Sequence, residues 1–330
     1  MGNIAFTLCS INYLAQAKTL FESLRKTNPG WKFIIGLVDK NDKNADLSFL
    51  QCEIVEVEKI AIDGFKEMAN RYAVIELLTS VKPFYIHWLF SQYKDAENVV
   101  YFDPDIMVFQ PLTRLENSLQ HYDIILTPHY TTPINDNCLP TELHVMQTGI
   151  FNLGFIALRR SENTFRMLSW WQDRLKEKCV IDLSRGLFVD QVWANLMPVC
   201  FDKVLIEKYP GYNMAHWNLH ERMLSKKNNE YFVNDEPLVF FHFSHYSPAQ
   251  PDSIAAHHDR FSFVTRPDLK EIYSEYNKAL IQHNYFQLRP VKCYYMNNEK
   301  NKRRKREMET FLRTALPDKW KGRIKKMIGK

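Results

Sequence analysis

The chain has 330 residues, 45% of them hydrophobic and 25% charged, with a net charge of +5. That balance excludes a disordered or low-complexity chain, and no apolar run reaches the ~18 residues a membrane span needs. The charge is uneven: from Asn297 to Lys330 there are 13 Lys/Arg against 4 Asp/Glu, so this tail carries +9 and the rest of the chain −4.

Six cysteines (Cys9, Cys52, Cys138, Cys179, Cys200 and Cys293) are scattered without a C-x-x-C pair. This speaks against a zinc or redox motif and for buried free thiols in a reducing compartment. The opening residues lack a signal-peptide pattern, and Phe6 stands where a myristoylation motif wants Ser or Thr. The chain reads as cytoplasmic.

Residues 4–10 read as a first strand, and Leu14, Ala17, Leu20, Phe21 and Leu24 give helical spacing from Asn12 to Lys26. Phe33 to Asp39 reads as a second buried strand, and this β-α-β opening argues for a parallel sheet of nucleotide-binding type. Thr7, Cys9 and Tyr13 follow the carboxyl end of the first strand, where a base and ribose would lie; packing or capping is the alternative for each. Cys52 to Val57 reads as a third strand, and Phe65 to Tyr93 as helical with one break at Pro83, the first turn of a new helix. Lys82 before it gains nothing from the helix dipole, so it is either a solvated surface lysine or one that meets a phosphate.

Asn98 to Phe109 is apolar and β-branched on both sides of Asp103-Pro104-Asp105, and reads as a buried strand. Side-chain alternation puts Asp103 and Asp105 on one side, and Pro104 stops the strand from continuing as a central one. Two carboxylates at that spacing repel unless a cation joins them, and hard oxygen ligands suit Mn²⁺ or Mg²⁺. Such an ion would hold a diphosphate; an Asp-Pro turn with solvated acids is the alternative.

Ile124 to Thr127 reads as a strand, and Pro128 to Thr148 as an aperiodic loop, long enough to be a lid or binding loop. In the strand Ile150 to Leu158, Asn152 must be hydrogen-bonded, to the fold or to a ligand, and Gly154 marks a close approach to the backbone. Ser161 caps a helix to Lys178 with Trp171 in its buried stripe. Asp190 reads as a cap of a short helix, and Val204 to Ile206 as a short strand. Leu238 to Tyr246 reads as a late strand in which His242 is a core residue or a third metal ligand. From about Asp268 the pattern is helical. The basic tail spaces Phe311, Leu312, Leu316, Trp320, Ile324, Met327 and Ile328 among its cations, as an interfacial membrane helix does. A basic surface interleaved with aromatics is missing from the body, so nucleic acid is not an expected partner.

These features stand in a definite order: a βαβ opening, Asp103-Pro104-Asp105, Phe151-Asn152-Leu153-Gly154, the run Asp190-Gln191-Val192-Trp193-Ala194-Asn195, then His242-Phe243-Ser244-His245. The series resembles glycosyltransferases of the GT-A fold, most closely family 8, the group of glycogenin and the bacterial lipopolysaccharide galactosyl- and glucosyltransferases. It covers roughly residues 4–250. The resemblance implies an α/β fold, the nucleotide-diphospho-sugar transferase fold, with a mostly parallel central sheet flanked by helices. Residues 1–265 would be the catalytic domain and 266–330 a helical extension ending in the basic tail.

The resemblance also implies roles. Asp103, Asp105 and His242 would hold Mn²⁺ or Mg²⁺, with Asp103 also reaching the ribose or sugar. Asn152, Asp190 and Gln191 would meet the donor sugar, Thr7, Cys9 and Tyr13 the uracil of a UDP-sugar, and Lys82 would stand near a family arginine. One departure is plain. The family follows its histidine with a glycine and then a diphosphate-binding lysine; here His245 replaces the glycine and no lysine follows, leaving His245, His216 or Arg222 for the diphosphate.

The activity expected is sugar transfer from a nucleotide sugar to an acceptor hydroxyl, with retention of configuration. The tail favours a lipid-linked glycan acceptor, such as a lipopolysaccharide or capsule intermediate, at an anionic membrane surface on the inner face of the plasma membrane. A protein acceptor, or a non-catalytic nucleotide-sugar-binding protein at the membrane, are the rivals. A nucleotidyltransferase is disfavoured, because Ser10-Ile11-Asn12-Tyr13 is not a glycine-rich phosphate loop.

Overall fold

The computed structural model describes residues 2–41, 46–256 and 258–296. The basic tail from Asn297 onward, and with it the expected membrane helix, lies outside the described residues.

Seven strands form the central sheet: β1 (Asn3–Cys9), β2 (Lys32–Leu37), β3 (Glu53–Glu56), β4 (Asn98–Phe102), β6 (Ile124–Pro128), β7 (Phe151–Arg159) and β10 (Val204–Ile206). Between them in the chain come β5 (Ile106–Val108) and the hairpin of β8 (Ile181–Asp182) and β9 (Leu187–Phe188). A meander of β11 (Leu224–Lys227), β12 (Glu230–Val233) and β13 (Glu236–Pro237) and then β14 (Phe240–His242) follow. The sheet order is β10-β6-β7-β4-β1-β2-β3, parallel except where β7 runs antiparallel to both β6 and β4. The α/β class and the mostly parallel sheet expected from the sequence are therefore present.

Helices cover both faces. They are α1 (Leu14–Thr27), α2 (Phe65–Arg71), α3 (Val74–Ser80), α4 (Lys82–Gln92), α5 (Thr113–Leu119), α6 (Glu142–Thr148), α7 (Glu162–Lys178), α8 (Gln191–Ala194), α9 (Met197–Cys200), α10 (Lys270–Gln282) and α11 (Tyr285–Leu288). Alternation along β1 explains the two-sided core: Ile4, Phe6 and Leu8 enter the cluster that holds Leu77, Leu89 and Trp171, whereas Ala5 and Cys9 enter the one that holds Leu20, Ile272 and Tyr276. α10 and α11 thus pack on α1 within the main core.

Four expectations are corrected. The run Asn98 to Phe109 is two strands, because after Phe102 the chain turns at Pro104 and β5 leaves the sheet to pair with β14. The segment Phe65 to Tyr93 breaks at Tyr72-Ala73 as well as before Pro83, since Ala73 N–H is capped by Glu76 (2.7 Å) and a new helix starts there. The loop from Pro128 to Thr148 ends in helix α6, whose Leu143 and Met146 are exposed and so leave no buried stripe to read. The late strand, expected from Leu238 to Tyr246, is confined to the three residues of β14.

Asp39, just past β2, fastens the carboxyl end of the sheet. It accepts from Ile11 N–H (3.0 Å) before α1, from Lys40 N–H (2.9 Å) and from Tyr294 N–H (2.7 Å) in the last described segment. Hydrogen bonds to a charged acceptor contribute about 1.5–3 kcal/mol each. Replacing Asp39 by Ala is expected to lower the unfolding free energy by at least about 2 kcal/mol in urea titrations; an unchanged midpoint would show that the staple is dispensable.

Candidate functional site

Pro104 ends β4 at the carboxyl edge of the sheet. Asp103 is still tied to the sheet through its N–H, which donates to Gly154 O (2.7 Å) on β7. Asp105 leads into β5, and β14 pairs with β5 so that His242 stands opposite Ile106, with Phe243 N–H donating to Asp105 O (2.9 Å). Two crossing ladders therefore aim three side chains at one point. His242 Nε2 lies 3.0 Å from Asp105 Oδ1 and 3.7 Å from Asp103 Oδ2, and one ligand atom from each residue falls within 4.8 Å of the others.

Asp103 keeps 32% of its side chain exposed and Asp105 19%, so the open side of the cluster faces solvent, whereas His242 is buried. Burial raises the Asp103 carboxyl, and the Asp105 charge adds to it. At Asp105 burial acts the same way but is outweighed by the charge and hydrogen bond of His242, so its carboxyl is lowered. His242 is the converse: burial opposes its charge, and the two carboxylates more than offset that. The donor set of two carboxylates and one imidazole fits a divalent cation of the Mn²⁺ or Mg²⁺ kind.

The backbone beneath is shaped for these side chains. A Cβ on Gly154 would stand 2.4 Å from His242 Cε1 and 2.8 Å from both Asp103 Oδ2 and Asn152 Oδ1. The close approach expected at Gly154 is thus made by the acidic cluster itself. Tyr101, two residues before Asp103 and on the same side of β4, donates to Asp103 Oδ1 (2.6 Å). Alternation along the strand places that tyrosine beside the aspartate from the sequence alone.

Asn152 is held rather than free. Its Oδ1 accepts from Gly154 N–H (3.2 Å) and from Asn213 Nδ2 (3.0 Å), and its Nδ2 lies 3.5 Å from His129 Nε2. Gln191 spans two backbones: Nε2 donates to Thr148 O (3.0 Å) and Oε1 accepts from Leu153 N–H (3.2 Å). Gly149, at φ 118°, gives Gln191 room, because any side chain there would strike it.

Asp190 precedes α8 but makes no side-chain cap. It is 2% exposed and pairs with Lys82, 1% exposed, whose Nζ donates to Asp190 Oδ2 (2.6 Å) and to Leu153 O (2.8 Å) and lies 4.2 Å from the Tyr101 ring centroid. Neither reading of Lys82 as a solvated lysine nor of Asp190 as a cap describes this buried pair. Burial raises the Asp190 carboxyl, against the pull of Lys82.

The other expected residues fall apart from this group. Thr7 and Cys9 are enclosed in β1 (0% and 1% exposed), and burial pushes the Cys9 thiol up. Tyr13 is closer to the cluster: its phenol is raised first by burial and then by Asp105, and Arg289 lies over its ring at 5.1 Å. His245 stands exposed past β14 at φ 61°, near enough to Asp105 to lower its carboxyl. His216 is buried, and Arg222 is buried with its guanidinium donating to Tyr212 O.

No family model matches the chain. Among curated proteins it is similar to the uncharacterized protein YfnF of Bacillus subtilis (strain 168), 25% identical over 289 residues, covering 84% of this chain and 92% of that protein. The uncharacterized protein YfnD of the same organism is 26% identical over 171 residues, 51% of this chain and 53% of its own length. Among solved structures, the galactosyltransferase LgtC with donor and acceptor sugar analogs shares 14% identity at a TM-score of 0.47, covering 97% of this chain and 99% of that one. The glycosyltransferase GlyE of Streptococcus pneumoniae TIGR4 shares 15% at 0.45, over 87% and 65%. A glycosyltransferase involved in glycosylation of the major capsid of PBCV-1 shares 10% at 0.45, over 86% and 100%.

Two predictions follow the geometry. Gly154→Ala is expected to abolish Mn²⁺ binding in an electron paramagnetic resonance titration, because the methyl group displaces His242 and Asp103; wild-type affinity in this variant would contradict the cradle. Acid should also weaken the fold. Burial lowers His129 to about 4, and burial with neighbouring imidazoles lowers His216, whereas an unfolded histidine titrates near about 6.5. Below about pH 6.5 the unfolded chain binds more protons, so this stability is complete above that pH and lost as pH falls towards 4. Urea midpoints should drop across that window, and drop less in His129→Gln; equal slopes would contradict the assignment.

Proposed function

We propose that the chain is a metal-dependent glycosyltransferase, moving a sugar from a nucleotide sugar, UDP-linked by resemblance, to an acceptor hydroxyl with retention of configuration. The observation that carries this is the convergence of Asp103, Asp105 and His242 at the carboxyl end of the sheet. In open α/β sheets that end is where ligands bind.

Asp103, Asp105 and His242 would hold Mn²⁺ or Mg²⁺. A cation there supplies Lewis-acid stabilisation of the charge that a leaving diphosphate gains. The chain supplies the orientation. Asn152 and Gln191, each fixed by the backbone, border the place of the donor sugar, and Gln191 ties the end of α6 to β7. Lys82 compensates Asp190, so a carboxylate is kept beside the sugar in a dry setting where its field is strong. Tyr101 and Gly154 keep Asp103 aimed.

The acceptor in this reading is a lipid-linked glycan, such as a lipopolysaccharide or capsule intermediate. Its support is the +9 of residues 297–330, which suits an anionic leaflet at about 1 kcal/mol per cation near the surface. The enzyme would then work at the inner face of the plasma membrane, with residues 1–265 as its catalytic unit. Among the described residues, no helix is long and apolar enough to cross a membrane.

The test is a panel of nucleotide sugars given to the purified protein with Mn²⁺ or with EDTA. One donor is expected to release its nucleotide, and EDTA to stop it. Asp105→Asn should lose roughly a hundredfold or more in kcat, as expected when several kcal/mol of charge stabilisation go, with the circular dichroism spectrum unchanged. Full activity in that variant contradicts the metal assignment, and donor binding without turnover would make the chain a binding protein.

A further inference from the structure

A nucleotide sugar brings at least two negative charges to this site, and Asp103 and Asp105 already offset the charge of one divalent cation. Further donors are needed for the diphosphate, and Lys82, Arg222 and Arg260 are engaged. Lys82 is enclosed between Asp190 and Leu153 O. Arg222 is buried and donates to Tyr212 O, and Arg260 is tied to Asp136 and to the carbonyls of Cys138 and Pro140.

Imidazoles stand at this place instead. The indole of Trp217 packs edge-on against both His242 (centroids 5.2 Å) and His216 (5.0 Å), so one ring links His216 to the acidic cluster. Around His216 lie His258, at 5.2 Å between centroids, and His245, at 6.3 Å. His216 is 7% exposed, and its Nδ1 is buried without a hydrogen-bond partner among the described residues. A buried polar atom in that condition costs free energy until a ligand or water meets it. His258 Nε2 accepts from Phe261 N–H (3.1 Å), which places the proton of the neutral ring on Nδ1. The loops that carry these rings are joined, since Ala256 N–H donates to His245 O (3.4 Å).

We propose that His216, His245 and His258 form an imidazole cluster that receives the diphosphate of the donor beside the cation held by Asp103, Asp105 and His242. The assignment rests on the sugar-transfer reading above. Ring N–H groups donate to phosphate oxygens, and a bond to an ionised acceptor is stronger than a neutral one. The cluster does the work of a basic side chain where Lys82, Arg222 and Arg260 are committed to other partners.

The test uses calorimetry on the full chain with two probes, Mn²⁺ alone and the preformed Mn²⁺–pyrophosphate complex, which does not depend on the nucleoside. His216→Asn removes the central ring. His245→Gly removes an exposed one and suits the backbone at φ 61°, so it folds even if the buried variant does not. Each variant is expected to bind the complex about tenfold more weakly, the loss of one charge-assisted bond, while binding Mn²⁺ alone as wild type does. Unchanged affinity for the complex in both variants overturns the cluster and leaves sugar transfer standing. Equal loss of both probes also overturns it, because the histidines would then act through the metal site. A wild-type protein that binds neither probe overturns both readings.

Discussion

Three side chains that repel or compete for protons are held at one point, and much of the fold serves to keep them there. Two carboxylates within 4.8 Å of each other oppose one another by about 3–4 kcal/mol at an effective dielectric near 20. Such a cost persists only where the surroundings leave the side chains no retreat. Here the retreat is closed by ladder bonds. Asp103 is pinned to Gly154, Asp105 to Phe243, and His242 to Met214 through its own N–H (2.8 Å). The same repulsion makes a cation the natural occupant, and the fold's strain and its proposed chemistry are then one feature.

A second buried charge pair supports the first. Lys82 and Asp190 come from the start of α4 and the residue before α8, with Tyr101 packed on the ammonium. Buried pairs of this kind are poor stabilisers against an apolar substitute, but losing one partner costs about 3–5 kcal/mol. The pair is better understood as a device of position. It joins the helix layer to Leu153 on β7 and keeps a carboxylate one element away from the acidic cluster without adding a net negative charge to it.

The parts legible in the sequence were those fixed by local pattern. Short apolar runs mark β1, β2, β3, β6 and β7, Ser161 is visible as the cap whose hydroxyl accepts from Thr164 N–H (3.1 Å), and Trp171 lies fully buried in its stripe. Asp103, Asp105 and His242, which the structure brings together, stand out in the sequence because a strand end with two acids and a late polar residue in an apolar run both violate their surroundings. What failed was set by partners far along the chain. β5 separates from β4 because β14, over a hundred residues later, pairs with it. Lys82 and Asp190 are 108 residues apart, and neither one's flanking residues announce the other. Helix α6 hides because its Leu143 and Met146 face solvent, and Thr7 and Cys9 are enclosed because strand order, which sets β1 between β4 and β2, is not a local property.

The central claim is that one cation sits on Asp103, Asp105 and His242 and holds a diphosphate. Pulsed electron paramagnetic resonance of Mn²⁺ bound to the protein with UDP tests it directly. The account predicts a ¹⁴N coupling from a directly bound imidazole, lost in His242→Ala, together with a ³¹P coupling from the nucleotide at the same ion. Mn²⁺ that binds with neither coupling, or a ¹⁴N signal that survives the loss of His242, would contradict it.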